Sequence, residues 1–158
     1  MEISPDIVSL GVFLGVVVVA AFFGGQWGAN DWYRNLSKPW FTPPNWLFPV
    51  AWSILYLMIA VAGWRVWEKG GPGADRAMII WVAQLVPNML WSYIFFGRQE
   101  IGPALTVLGV LWTLIVFFII AAWGVDKWAA ILFVPYAVWV SYAGILNYRI
   151  LRMNPQMS

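Results

Sequence analysis

The chain has no cysteine and no histidine, and its charges are few: 9 Lys and Arg against 7 Asp and Glu in 158 residues. Without cysteine there is no disulfide, thiolate nucleophile or iron–sulfur cluster. Without histidine the commonest catalytic base, zinc ligand and haem axial ligand are all missing. Charged residues make up 10% of the chain, whereas a soluble domain carries roughly a quarter. The composition therefore argues against a soluble monomer. The formal charge of +2 is too small and too scattered for a nucleic-acid footprint. Met1 to Asp6 contains neither Lys nor Arg, so the start lacks the basic region of a signal peptide, and the first apolar segment is expected to be kept as a helix.

What remains is apolar residues, 62% of the total, together with 13 Trp, 14 Gly and 10 Pro. Uncharged stretches cover residues 7–30, 39–64, 77–97, 101–125 and 128–148. Each exceeds the roughly 20 residues a helix needs to cross the hydrocarbon core of a bilayer. A lone strand in lipid would leave its backbone polar groups unpaired, so even the Val16–Val19 run reads as helix. The pattern predicts an all-α, polytopic membrane protein: one domain over 1–158, a bundle of five transmembrane helices at about 5–23, 44–67, 75–96, 102–123 and 128–151.

Between the first two spans, residues 24–43 carry too many aromatics and prolines for a solvated tether, and an ordered loop is expected. A short helix near Asp31 to Leu36 would fit within it. Pro87 and Pro135 fall inside the third and fifth spans, where each removes a helix hydrogen bond and can kink the helix. Arg34, Lys38, Arg98, Arg149 and Arg152 lie on one side, against Arg65, Lys69, Arg76 and Lys127 on the other. That near-balance leans only slightly toward a cytoplasmic carboxyl terminus. No internal duplication is visible, and no Asp, Glu, Lys or Arg sits deep in a span, which weakens ion-coupled carrier and proton-pump readings.

The informative residues are those that hydrocarbon rejects. Gln84, Asn88 and Trp91 share one face of the third helix at i, i+4 and i+7. Such amides either bond across the bundle as packing glue or line a cavity, and both roles are compatible. The second helix offers Pro49, Trp52, Tyr56 and Gly63, and the fifth offers Trp139, Ala143 and Asn147 with Tyr136 nearby. A pocket walled by indoles and furnished with a few amides suits a flat, largely apolar ligand such as a porphyrin, a sterol or a polycyclic drug. Lacking His and Cys, such a site favours a free-base porphyrin bound by stacking over a haem enzyme, with no metal site and no required cofactor. Gly11 and Gly15 form a small-residue pair that a dimer seam could use. Leu146, Tyr148 and Arg152 match a proposed sterol-contact pattern.

Several ordered segments resemble the translocator protein family, also called tryptophan-rich sensory proteins or peripheral benzodiazepine receptors. They are KPWFTPPNWLFP from Lys38 to Pro49, AWSILY from Ala51 to Tyr56, AQLVPNMLWS from Ala83 to Ser92, Phe95-Phe96-Gly97, PYAVWV from Pro135 to Val140, and Leu146-Asn147-Tyr148. The resemblance implies a five-helix protein of a bacterial membrane, usually homodimeric, that binds porphyrins such as protoporphyrin IX and, in some members, cholesterol or drug-like ligands. By motif position the family pocket would involve Trp52, Tyr56, Asn88, Trp91, Trp139, Ala143 and Asn147. Three functions follow as alternatives: a tetrapyrrole sensor, scavenger or regulator; a light- and oxygen-dependent porphyrin-degrading enzyme in which Trp52 and Trp139 take part; and a porphyrin or sterol transporter.

Overall fold

A computed structural model describes residues 5–157. Among them are α1 (Pro5–Gly24), α2 (Asp31–Asn35), α3 (Leu47–Lys69), α4 (Ala74–Ser92), α5 (Ile101–Trp123), α6 (Lys127–Leu132) and α7 (Val134–Met153). A π-helical turn, Tyr93–Gly97, extends α4, and a 3₁₀ turn, Pro155–Met157, follows α7. Five helical segments are long and apolar enough to cross a membrane: Asp6–Gly24, Leu47–Lys69, Ala74–Gly97, Ile101–Trp123 and Lys127–Met153. The chain is an all-α, five-span bundle.

The helices close a ring: α1 packs on α3 and α4, α4 on α5, α5 on α6 and α7, and α6 back on α3. In lipid the apolar effect does not drive helices together, so close packing must. Small side chains make that approach feasible, and Ala60, Ala62, Ala77, Ala104, Ala122, Ala129 and Ala130 are all fully buried. Large apolar residues such as Val12, Phe22, Ile79, Val110, Ile120 and Val138 point outward instead, the polarity reversal expected of a surface that faces hydrocarbon.

Helix boundaries depart from the sequence expectation where local chemistry intervenes. The second span begins at Leu47 rather than 44, which keeps Pro49 in the first turn, where its missing N–H and its ring do not oppose the carbonyl of residue 45 as they would in a helix begun at 44. A turn from Pro44 to Leu47, closed by a 3.0 Å backbone hydrogen bond, then launches the helix. The fifth span is two helices. Pro135 has no N–H and would press on the carbonyl of residue 131, so the break falls at Phe133 and Pro135 sits in the first turn of α7. Pro87, by contrast, is accommodated inside a continuous α4.

At the end away from the α1–α3 loop, α3 and α4 meet closely. A Cβ on Gly63 would lie 2.5 Å from the Trp81 indole, so only glycine admits that ring. Trp81 Nε1 donates a 2.8 Å hydrogen bond to the Ile59 carbonyl and fastens the two helices there. Across the same end, Arg65 of α3 pairs with Asp126 at 2.9 Å. Asp126 also caps α6 by accepting from the Trp128 amide at 2.9 Å, so one carboxylate starts a helix and ties it to α3.

Candidate ligand cavity beneath the interhelical loop

Toward the other end, α3 and α4 enclose a cavity of about 500 Å³. Its walls come from α1 (Ala21, Gly24), α3 (Phe48, Pro49, Trp52, Ser53, Tyr56), α4 (Asn88, Trp91, Ser92) and Phe96 of the π turn. The segment between α1 and α3 lies over it, contributing Trp27, Gly28, Ala29, Arg34 and Asn45.

A chain of polar groups forms the floor. The Tyr56 hydroxyl donates to Asn88 Oδ1 at 2.8 Å, Asn88 Nδ2 donates to the Tyr136 hydroxyl, and Tyr136 in turn donates to Gln84 Oε1 at 2.9 Å. Each oxygen or hydroxyl meets the next, which lets two amides and two phenols sit inside the bundle, and the Gln84 Nε2 at the end of the chain is left buried without a partner. Asn88 and Tyr56 face the cavity, whereas Gln84 and Tyr136 are fully buried below it. Gln84 bonds across the bundle, while Asn88 both bonds across it and lines the cavity.

Trp91 divides two spaces. It lines the cavity on one side and, on the other, a cleft of about 10 Å³ shared with Ala143, Leu146 and Asn147. Its Nε1 donates to Asn147 Oδ1 at 3.1 Å, and Asn147 Nδ2 donates to the Ile101 carbonyl at 2.9 Å. Ala143 and Asn147 therefore stand behind the Trp91 wall rather than in the main cavity. Trp139 stands behind Trp52, ring to ring at 6.5 Å and nearly perpendicular, and its Nε1 is buried without a hydrogen-bond partner. Tyr148 is exposed on the outside of α7 with Arg152, away from either space, while Leu146 faces the small cleft.

The covering segment is ordered by specific ties. Asn30 caps α2 by accepting from the Tyr33 amide at 3.0 Å, and its Nδ2 donates to the Phe96 carbonyl at 3.1 Å. Lys38 Nζ closes the other end of α2, donating to the carbonyls of Tyr33, Leu36 and Arg34 at 2.7, 3.0 and 3.1 Å. Partial burial lowers the pKa of that ammonium. Asn154, just past α7, grips Ser37 from both sides, accepting from its amide at 3.0 Å and donating to its carbonyl at 2.9 Å. The Tyr142 hydroxyl donates to the Phe41 carbonyl. Trp27 lies on Tyr93, ring centroids 4.9 Å apart, where a Cβ on Gly97 would come within 2.8 Å of the indole. The lid residues Trp27, Asn30, Arg34 and Asn45 carried no sequence signal of a site beyond the aromatic richness of their segment.

Five spans around an indole-walled cavity, roofed by an ordered loop, define a polytopic α-helical membrane protein built to hold a ligand within the bilayer. The TspO/MBR family model matches residues 10–153. The chain is 39% identical over 142 residues to a "Tryptophan-rich sensory protein" of Cereibacter sphaeroides, covering 90% of this chain and 89% of that one. It is 38% identical over 156 residues to "Protein CrtK" of Rhodobacter capsulatus, with 93% and 95% covered. A human "Translocator protein" is 32% identical over 149 residues, with 92% and 85% covered. The chain belongs to the TspO/MBR family and is an integral, multi-pass bacterial membrane protein.

Proposed function

We propose that the cavity binds a flat tetrapyrrole, protoporphyrin IX or a near relative, and that the protein acts as a sensor, scavenger or regulator of tetrapyrrole levels. The observation that carries this reading is the 500 Å³ space between Trp52 and Trp91, floored by Tyr56 and Asn88. Its size falls within the roughly 300–1,000 Å³ of small-molecule sites, and indole faces stack broadly on conjugated rings. The donor set holds no histidine or cysteine, so the ring is held by its faces and edges. Sterol or polycyclic drug-like ligands would use the same apolar walls. A sterol contact at Tyr148 and Arg152 would instead lie on the lipid-facing side of α7. The exposed α1 face around Gly11 and Gly15 offers a surface for a second copy of the chain.

A second reading, porphyrin breakdown driven by light and oxygen, is favoured by one arrangement. Trp52 on the cavity wall meets both Tyr136, at 6.2 Å, and Trp139, so oxidisable rings lead away from the ligand.

One experiment addresses both. Titration of the detergent-solubilised protein with protoporphyrin in the dark, followed by tryptophan fluorescence, is expected to saturate at a defined stoichiometry. Trp52→Leu should weaken binding about tenfold, and Asn88→Ala should weaken it as well. Unchanged affinity in both variants overturns the pocket. Under illumination in air, protein-dependent loss of porphyrin that falls in Trp139→Phe supports the second reading. Equal bleaching in detergent alone removes it.

A further inference from the structure

Among the residues that line the cavity, Arg34 is the one that carries a formal charge. It stands in the last turn of α2, over an enclosure otherwise built of rings, small residues, hydroxyls and amides. The other cation of the lid, Lys38, points its ammonium at three backbone carbonyls and caps α2. Arg34 has no such structural employment. Its Nη1 donates to Asp31 Oδ1 at 3.0 Å, with the two side chains 64% and 91% exposed. A pair that open to solvent contributes little to stability, and a guanidinium has five N–H donors, most of which that single contact leaves unused.

The polarity of the enclosure is therefore directional. Tyr56 and Asn88, neutral groups already bonded to each other, form the floor, while Arg34 and Asn45 line the cavity from the covering segment. A ligand that fits both ends has an apolar ring system and an acidic edge. We propose that Arg34 is a specificity-determining residue that reads a carboxylate of the ligand, so that the cavity selects anionic ring compounds over their neutral esters and orients them with the acid group beneath the lid. This rests on the tetrapyrrole reading above and adds the charge and orientation of the ligand to it. The fork of a guanidinium matches a carboxylate in two parallel hydrogen bonds, which a lysine cannot reproduce. Asp31 competes for the same donors, so it lowers the affinity for the acid.

The test compares protoporphyrin, which carries two carboxylic acids, with its dimethyl ester, on the full-length protein and on Arg34→Gln, Arg34→Lys and Asp31→Asn. Taking the acid-to-ester affinity ratio in each protein, and then its change from the unsubstituted chain, cancels the unequal partitioning of the two compounds into detergent. Arg34→Gln is expected to reduce that ratio about threefold to fivefold, the upper part of the range for an exposed charge pair. Arg34→Lys should restore only part of it, and Asp31→Asn should raise it about twofold. The preference should also fall as ionic strength rises from about 0.01 M to about 1 M, over which screening shortens from about 30 Å to about 3 Å. Because the Arg34 side chain is exposed and its backbone is held by Lys38, these variants keep the lid in place. Tight binding of both compounds that still depends on Trp52, with a ratio unmoved by Arg34→Gln, overturns this inference and leaves the tetrapyrrole reading standing. Saturable binding of neither compound overturns both.

Discussion

Tyr33 is the buried side chain through which α2 of the lid packs on the π turn. It is 2% exposed, packs edge-on against Phe96 and Phe95, and lies beneath the Lys38 ammonium, 4.9 Å from the ring centre. Its hydroxyl is buried without a partner. Burial, with Tyr142 adding to it, pushes the phenol up to about 12 from its ordinary 10.0. The neutral form is the one the closed lid prefers. Below about pH 10 the phenol is protonated whether the lid is closed or open, and Tyr33 adds no pH dependence to closure. Between about pH 10 and 12 the open form loses its proton while the closed form keeps it, so closure weakens by up to about tenfold per pH unit. Protease cleavage within the 25–46 segment should therefore accelerate over that window, and Tyr33→Phe should remove this step while leaving neutral-pH closure intact or slightly firmer. An alkaline step that persists in Tyr33→Phe would assign it to another group. At this same scale, some of the site was legible in advance and some was not. The face of Gln84, Asn88 and Trp91 stood out because amides in a lipid span demand partners, and all three are buried in the bundle. Arg34 did not, because a charge in a loop ordinarily marks a solvated turn, and only the path of the backbone brings it over the cavity.

Among the elements, the covering segment depends most on a residue far from it in sequence. Asn154 makes both hydrogen bonds to Ser37 and a third, at 2.8 Å, to the Ile150 carbonyl. The third bond fixes the side chain on the end of α7, so its hold on Ser37 comes already oriented. Asn154→Ala removes the two bonds to the lid and leaves the Ser37 amide and carbonyl to find other partners, at a cost of about 1–2 kcal/mol in closure. Amide hydrogen exchange at Ser37 and its neighbours should quicken about tenfold, with exchange in α3 and α5 unchanged. Uniform acceleration through the bundle would mean that Asn154 supports the whole fold instead. Span lengths could be read from the sequence because uncharged runs translate directly into membrane-crossing helices. Pro135 marked the last span for a kink, but its full division at Phe133 and the π turn at Tyr93–Gly97 depend on hydrogen-bond register that hydropathy does not report.

Taken as a whole, the bundle is closed at one end and hollow at the other. The Gly63–Trp81 contact and the Arg65–Asp126 pair hold the closed end. The buried Gln84–Tyr136 pair plugs the middle, and the cavity occupies only the half beneath the lid. The ring order of the helices, with α3 next to α6 as well as α1, follows from which faces carry small residues. Hydropathy, which reports only how apolar each span is, contains no trace of it. The α3–α4 pair thus works like a clothes-peg, sprung at the glycine and gaping at the loop. Trp81 stands between the two helices at the closed end, so a ring compound in the cavity is expected to exchange through the lid end. Exchange through the lid end alone would couple the cavity to one side of the membrane. In vesicles where all copies point the same way, protoporphyrin added on the lid side should quench tryptophan emission promptly, and the same compound confined to the opposite side should do so only at the rate of its own flip-flop through protein-free lipid. Equal prompt quenching from both sides would show a second entrance. Prompt quenching from the lid side alone would make the cavity a receptacle rather than a passage.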